Sequence, residues 1–225
     1  MVSSKTMTSA VIFDFNGTLF FDTCFHMEAW SRIYKELRGE AEPIPDAASF
    51  CGPNNDDILK VISSMLTAEE RKMYSVRKET IYRELCKQNP DKVHLTKGAV
   101  ELFEALKELQ IPFALASASI IDNIEFYFKE FELDRWFDRS ICVYDDGTYA
   151  NKGQMHMEAA RRLGAVFSDC IVIEDSIGSI SYARENGAKK IIGIGSDSIH
   201  PELIRAGATH CIRDFTEFNL EWLKD

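Results

Sequence analysis

Short, nearly unbroken apolar runs recur along the chain at Val11 to Phe15, Phe113 to Ala116, Ile141 to Tyr144, Cys170 to Ile173 and Ile191 to Ile194. Runs this short and this continuous read as strands covered on both faces, the mark of a parallel sheet. Between most of them the period lengthens. Val100, Phe103, Leu106 and Leu109 predict one helix face. A second helix is predicted from Gln154 to Leu163, closing at Gly164, and a third from Ser179 to Asn186, closing at Gly187. Strand alternating with helix predicts a doubly wound α/β sheet, in which ligands sit at the carboxyl ends of the strands.

The stretch from Thr23 to Val93 breaks this rhythm and reads as helical throughout. FHMEAWSRIYKELRG puts Trp30, Ile33, Tyr34 and Leu37 on one side and stops at Gly39. DDILKVISSML is a second amphipathic segment, and TAEERKMYSVRKETIYRELC opens with Thr67 and Glu70 at the spacing of a capping box. Prolines 43, 45, 53 and 90 fall at breaks. The pattern predicts a helical insertion between the first strand and the rest of the sheet: a core from 1–22 and 93–225, and an inserted unit from 23–92.

Composition narrows the function. The 225 residues are 45% hydrophobic and 28% charged, ordinary for a globular chain with a sizeable core. A net charge of -10 argues against nucleic acid as a partner but leaves room for a local basic site for a small phosphorylated ligand. Cys24, Cys51, Cys86, Cys142, Cys170 and Cys211 show no paired spacing and read as reduced, buried thiols. No segment reaches the length of a membrane span and the first residues lack an apolar signal core, so the expected location is the cytoplasm. MVSSKTMTS reads as a loose leader. Oligomeric state is not legible; a monomer is the default expectation.

Candidate chemistry gathers at predicted strand ends. Asp14 ends the first run and is followed by Asn16, Gly17 and Thr18 in a turn; Ser117 follows the second run in FALASAS; Lys152 opens a helix in YANKGQ; Glu174 and Asp175 follow the fourth run in IVIEDSIGS. Taken singly each has a plain structural explanation, as a cap, a turn former or a solvated charge. Together they make chemical sense. Carboxylates converging on one crevice repel one another and call for a hard divalent cation, Mg2+ above all. The cation and Lys152 would neutralise a phosphoryl group, with Ser117 and turn N–H groups on its oxygens. Asp14 would then be a carboxylate nucleophile.

In this order the motifs resemble the haloacid dehalogenase superfamily of phosphohydrolases, from about Ala10 onward. The branch with a helical cap inserted after the first motif, which includes β-phosphoglucomutase and sugar-phosphate phosphatases, is the most similar. FDTCFHMEAW resembles that branch's linker, with His26 and Trp30 at matching places, and LASAS and IEDSIGS match as well. The resemblance implies a Rossmann-like core with an α-helical cap that closes over the site. It implies Asp14 as nucleophile and Mg2+ ligand, the backbone carbonyl of Asn16 as another ligand, and Asp175 with Glu174 completing the metal site. Ser117, Ala118, Lys152, Gly17 and Thr18 would hold the transferring phosphoryl group, and His26, Trp30, Asn54 and Asn55 would face the substrate from the cap.

Two departures stand out. The family usually carries a second Asp where Asn16 stands, and that Asp protonates the leaving group and helps activate water. Asn has no titrating proton to give. Good leaving groups, such as an acyl phosphate or an acidic sugar phosphate, would suffer least, and His26 is a candidate substitute acid. The Asn16-Gly17 pair is also prone to deamidation in flexible chains, which a tight turn should suppress. The second departure is CGPNND, which puts Asn54 and Asn55 where the mutase has an arginine for its substrate's distal phosphate. Arg77 and Lys78 read as ordinary solvated charges, the alternative being positive charge contributed from another cap helix. The leading expectation is a Mg2+-dependent phosphatase for a small phosphorylated metabolite, a sugar phosphate first. A sugar-phosphate mutase and a slow or non-turning phospho-ligand binder are the alternatives. A dehalogenase would leave Glu174 and Asp175 without a purpose.

Overall fold

The computed structural model describes Thr8, residues 10–45 and residues 54–224. Six parallel strands form one sheet: β1 (Ala10–Phe13), β2 (Phe113–Ile120), β3 (Val143–Asp145), β4 (Cys170–Glu174), β5 (Lys190–Ile194) and β6 (His210–Ile212). Their order is β3-β2-β1-β4-β5-β6. The chain winds outward from β1 through β2 to β3, then returns to lay β4 against the other side of β1. Strand order therefore reverses between β1 and β4, the switch point at whose carboxyl ends such sheets bind ligands.

Side chains alternate across the sheet. From β1, Ala10 and Ile12 join a core with Ala114, Ala116 and Val172, and this face is covered by Met155, Ala159 and Ala160 of α6 (Lys152–Arg162), Ile180 and Ala183 of α7 (Ile177–Glu185) and Leu203 of α8 (His200–Ala206). Phe13 faces the other way. It meets Phe103 of α4 (Ala99–Glu108) edge-on at 5.4 Å, with Phe137 at 6.1 Å and Phe215 at 6.0 Å closing the cluster. α5 (Ile121–Glu130) follows β2 without an intervening residue.

The helical stretch consists of α1 (Thr23–Arg38), α2 (Asn55–Ile62) and α3 (Ala68–Gln88). Trp30, Ile33 and Tyr34 of α1 pack with Ile58, Leu59 and Ile62 of α2. α1 ends at Gly39, whose φ of 96° few other residues adopt. The Thr67–Glu70 capping box forms as expected, each side chain bonding the other's backbone N–H. The chain divides into two compact units, one from residues up to Phe21 and from Leu95 onward, the other Asp22–His94. No helix among the described residues is long and apolar enough to cross a membrane.

Several expectations are corrected. Val100 and Leu109 are 37% and 43% exposed, while Leu102, Phe103 and Leu106 are buried. At about 100° per residue, positions nine apart lie on opposite sides of a helix, so the i, i+3, i+6, i+9 series drifts off its own face. β1 ends at Phe13 and β2 runs on to Ile120, which puts Ser117 within the strand rather than after it. β6, α5 and α8 were not foreseen. β6 is three residues long with His210 and Cys211 half-exposed, and α5 lacks any turn signal at its start. Of the expected leader only Thr8 is described, and it is buried, bonded to the carbonyls of Leu223 and Asp169. Cys24 is exposed; Cys86, Cys142 and Cys170 are buried thiols, and Cys51 and Pro53 lie outside the described residues.

Lys78 is not solvated. It is 2% exposed and sits with Glu79 and Asp22 in a buried polar cluster of the helical unit. Its Nζ reaches Glu79 Oε1 at 2.9 Å and His26 Nδ1 at 2.7 Å. Burial pushes the Glu79 carboxyl up, but Lys78, His26 and the Asn55 amide outweigh it and hold it at about 2. A carboxyl held below its ordinary 4.5 stabilises the fold above that value and loses the contribution as pH falls toward 2. The native protein should thus lose a few kcal/mol between these limits. Glu79→Gln should be less stable at neutral pH and should lack this component of the acid transition, as read by urea unfolding at a series of pH values.

Candidate active site

Strand register builds the centre of the site. β1 pairs with β4 so that Phe13 lies opposite Ile173, and the Asp14 N–H donates to the Ile173 carbonyl at 3.0 Å. One step beyond that pair both strands release acidic side chains, Asp14 from one and Glu174 with Asp175 from the other. Carboxylate oxygens of the three lie within 4.8 Å of one another, and Asp14 and Glu174 are buried.

α6 supplies one counter-charge and one hydrogen-bond donor from one face. Lys152 is its first residue, positioned by Asn151, whose side chain caps the helix by accepting from the Gln154 N–H. The Lys152 ammonium donates to Asp14 and lies 3.4 Å from Glu174 Oε1. One turn later, His156 Nε2 meets the same Glu174 oxygen at 2.9 Å, and the imidazole is fully buried. Burial keeps His156 neutral by pulling its pKa down. Since an ionised carboxylate can only accept, Nε2 carries the ring proton and donates, leaving Nδ1 as a buried lone pair with no partner among the described residues. His156 was not singled out from the sequence. The available signal was its i+4 spacing from Lys152, which puts both side chains on one face.

Burial pushes the Asp14 carboxyl up; Lys152 pulls it back and Glu174 adds to the rise. Glu174 feels the same burial, yet Lys152 and His156 hold it below the ordinary range. Three carboxylates thus converge beside one ammonium and a neutral imidazole, an acidic group of the kind that could hold a cation. Their all-oxygen donor set suits a hard divalent ion such as Mg2+.

The turn after β1 is tight. The Gly17 N–H donates to the Phe20 carbonyl at 2.8 Å, and the Thr18 and Phe20 N–H groups donate to the Phe15 carbonyl at 3.2 and 3.0 Å. The Gly17 and Thr18 N–H groups, expected on phosphoryl oxygens, are therefore engaged within the turn. Because the Gly17 nitrogen is engaged, it is poorly placed to attack the Asn16 amide. Thr18 Oγ1 is buried with no partner among the described residues, while its carbonyl accepts from Thr96.

Asn16 points its amide between β2 and α5. Nδ2 donates to the Tyr127 hydroxyl at 2.7 Å, and Oδ1 accepts from Ser119 Oγ at 2.7 Å and, more weakly, from Ser117 Oγ at 3.4 Å. Tyr127 is fully buried and stacks on Phe15 with ring centroids 4.1 Å apart. Ser117 is buried beside Asn16, and Ala118 between the two serines is exposed.

The remaining expected site residues lie in the helical unit. His26 has both ring nitrogens engaged, Nδ1 with the Lys78 ammonium and Nε2 with Asp22 at 3.2 Å, and it stacks on Tyr82, whose hydroxyl also donates to Asp22. Trp30 is buried in the helical core beneath Lys78, which lies 5.3 Å from its ring. Asn54 caps α2 by accepting from the Asp57 N–H. Asn55 donates to Ser75 and Glu79 of α3. Arg77 is exposed and pairs with Glu36.

With this geometry in place, likeness to known proteins is informative. A family model described as haloacid dehalogenase-like hydrolase matches residues 8–187. The crystal structure of a HAD hydrolase, family IA, variant 3 from Entamoeba histolytica HM-1:IMSS is 34% identical, covers 96% of this chain and 97% of its own, and superimposes with a TM-score of 0.88. β-Phosphoglucomutase from Clostridium difficile is 19% identical with a TM-score of 0.78, over 96% of both chains. CbbY from Rhodobacter sphaeroides, solved in complex with phosphate, is 19% identical with a TM-score of 0.77, over 94% of this chain and 96% of its own. At such identities these two share the fold. A bifunctional riboflavin kinase/FMN phosphatase from Arabidopsis thaliana is 32% identical over 105 residues, 45% of this chain but only 27% of that protein's length.

Gly17 is irreplaceable on geometric grounds. It holds φ at 75°, and a Cβ there would lie 2.1 Å from Asp175 Oδ2. Gly17→Ala should destabilise the protein by about 1–3 kcal/mol through backbone strain alone, with the displaced Asp175 adding to it. Thermal unfolding against the wild type, with Gly178→Ala as the open-space control, checks this.

Proposed function

The chain belongs to the haloacid dehalogenase-like hydrolase family, and we propose that it is a Mg2+-dependent phosphatase acting on a small phosphorylated metabolite through an aspartyl-phosphate on Asp14. The observation that carries this reading is the buried convergence of Asp14, Glu174 and Asp175 with Lys152 at the crevice between β1 and β4. The phosphatase function in the Arabidopsis relative's name supports it.

The residues divide the work. Asp14, Glu174, Asp175 and the Asn16 backbone carbonyl would hold the ion, which when bound supplies neutralisation of phosphoryl oxygens. An oxygen of Asp14 attacks phosphorus; as the P–O bond to the leaving group breaks, that bond's electron pair departs with the leaving oxygen. Lys152 fixes Asp14 before reaction and meets phosphoryl charge during it, and Ser117 donates to a phosphoryl oxygen. Water then attacks phosphorus, returning the Asp14 carboxylate and releasing inorganic phosphate. His156 acts through Glu174, fixing the orientation of that carboxylate from behind. Asn54 and Asn55 carry no charge and are bonded within α2 and to α3, which favours hydrolysis over transfer between two positions of a bisphosphorylated sugar.

Phosphate release from a panel of phosphorylated small molecules should require Mg2+, stop on chelation and return on Mg2+ addition. Asp14→Asn should reduce it to background while retaining the native fold by circular dichroism. Phosphate release that survives both treatments would exclude this function. His156→Phe removes the Glu174 contact while keeping a ring in place. It should weaken divalent-ion binding by about 10–100-fold, measured as the affinity for Mn2+ by electron paramagnetic resonance, independently of turnover.

A further inference from the structure

We infer that this site is built for phosphates whose leaving group departs without a proton, acyl phosphates in particular, and that sugar and alkyl phosphate esters are its poor substrates. The inference deepens the phosphatase reading and rests on it.

Three observations carry it. First, the side chain two positions after the nucleophile is an amide whose two ends are both occupied: Nδ2 by Tyr127 and Oδ1 by Ser119. It has no proton to lend and is not poised to swing toward a substrate, because Tyr127 is clamped by its stack on Phe15. Second, His26 cannot take over the acid role as it stands. An ammonium has only donors, so Lys78 donates to Nδ1, and the ring proton on Nε2 is directed to Asp22. Third, the two basic side chains beside the acids are committed to them. Lys152 bonds Asp14, and His156 donates to Glu174 from a fully buried position.

Phosphoryl transfer has a loose transition state in which negative charge builds on the leaving oxygen. Without an acid, that charge must be borne by the leaving group itself. An alkoxide bears it badly. The carboxylate expelled from an acyl phosphate bears it well. The balance closes without any further reactant: Asp14 displaces the carboxylate, water cleaves the aspartyl-phosphate, and the products are carboxylate, phosphate and one proton released to solvent. The intermediate is itself an acyl phosphate whose leaving group is Asp14, so its breakdown needs no leaving-group acid either.

The test is a leaving-group series on the wild-type protein with saturating Mg2+, after intact mass has excluded deamidation at Asn16. Acetyl phosphate, substituted phenyl phosphates and an alkyl phosphate are the probes. The expected result is a steep fall of kcat/KM as leaving-group pKa rises. Asn16→Asp should raise kcat/KM on the alkyl phosphate by about 10²–10⁴-fold while changing acetyl phosphate only a few-fold, which separates acid assistance from the intrinsic reactivity of the probes. Equal gains on both probes, or no gain on the alkyl phosphate, would overturn the inference. If the variant does not fold, the wild-type slope decides alone, and a shallow slope counts against it. Metal-dependent release with a shallow slope would sink this inference and spare the phosphatase reading. No metal-dependent release from any probe would sink both.

Discussion

Pairing of β1 with β4 is the constraint on which the rest of the site depends. The hydrogen bond from the Asp14 N–H to the Ile173 carbonyl continues the ladder one residue past β1, so Asp14 cannot retreat from Glu174. Two carboxylates are thereby held side by side where water is scarce, a costly arrangement unless cations answer it. α6 answers in part, with Lys152 on both acids and His156 behind Glu174. The converging carboxylate oxygens are what suit this place to a hard cation. Strand order, helix phase and site charge are linked: the sheet creates the electrostatic problem, and the helix that crosses back to it supplies part of the solution.

The turn after Asp14 follows from the same geometry. Gly17 must pass so close to Asp175 that no side chain fits, and the turn's own N–H groups are used to hold it. The Asn16 side chain is drawn into a network with Ser117, Ser119 and Tyr127. An amide offers one donating and one accepting edge, and this network uses both. A substitution that looks like a lost acid in the sequence is a satisfied link between β2 and α5 in the fold.

The helical unit shows how poorly charge predicts exposure. Lys78 carries an ammonium into an apolar bundle because three kinds of partner meet it there: the Glu79 carboxylate, the His26 imidazole and the face of Trp30. Asp22 and Tyr82 complete the set on the far side of His26. Each charged member is held by at least two partners, so the cluster ties α1 and α3 together through polar contacts as well as apolar ones.

The sequence by itself determined the fold class and the identities of the acids and the lysine. Continuous apolar runs, helix-closing glycines and the order of the polar residues are local signals; Asp14, Glu174 and Asp175 lie at strand ends, Lys152 opens α6, and Ser117 falls inside β2 rather than after it. The fold supplied what depends on residues far apart in the chain. His156 acts on Glu174 across 18 positions and Tyr127 on Asn16 across 111. No periodicity links such pairs, because their proximity comes from strand register and helix docking. The face of α4 was misjudged for a related reason: a helix's buried side is set by what packs against it, and apolar residues such as Val100 and Leu109 remain exposed where no partner covers them. Short elements were missed because β6 owes its existence to pairing with β5, and three residues carry too little pattern to announce a partner they have not yet met.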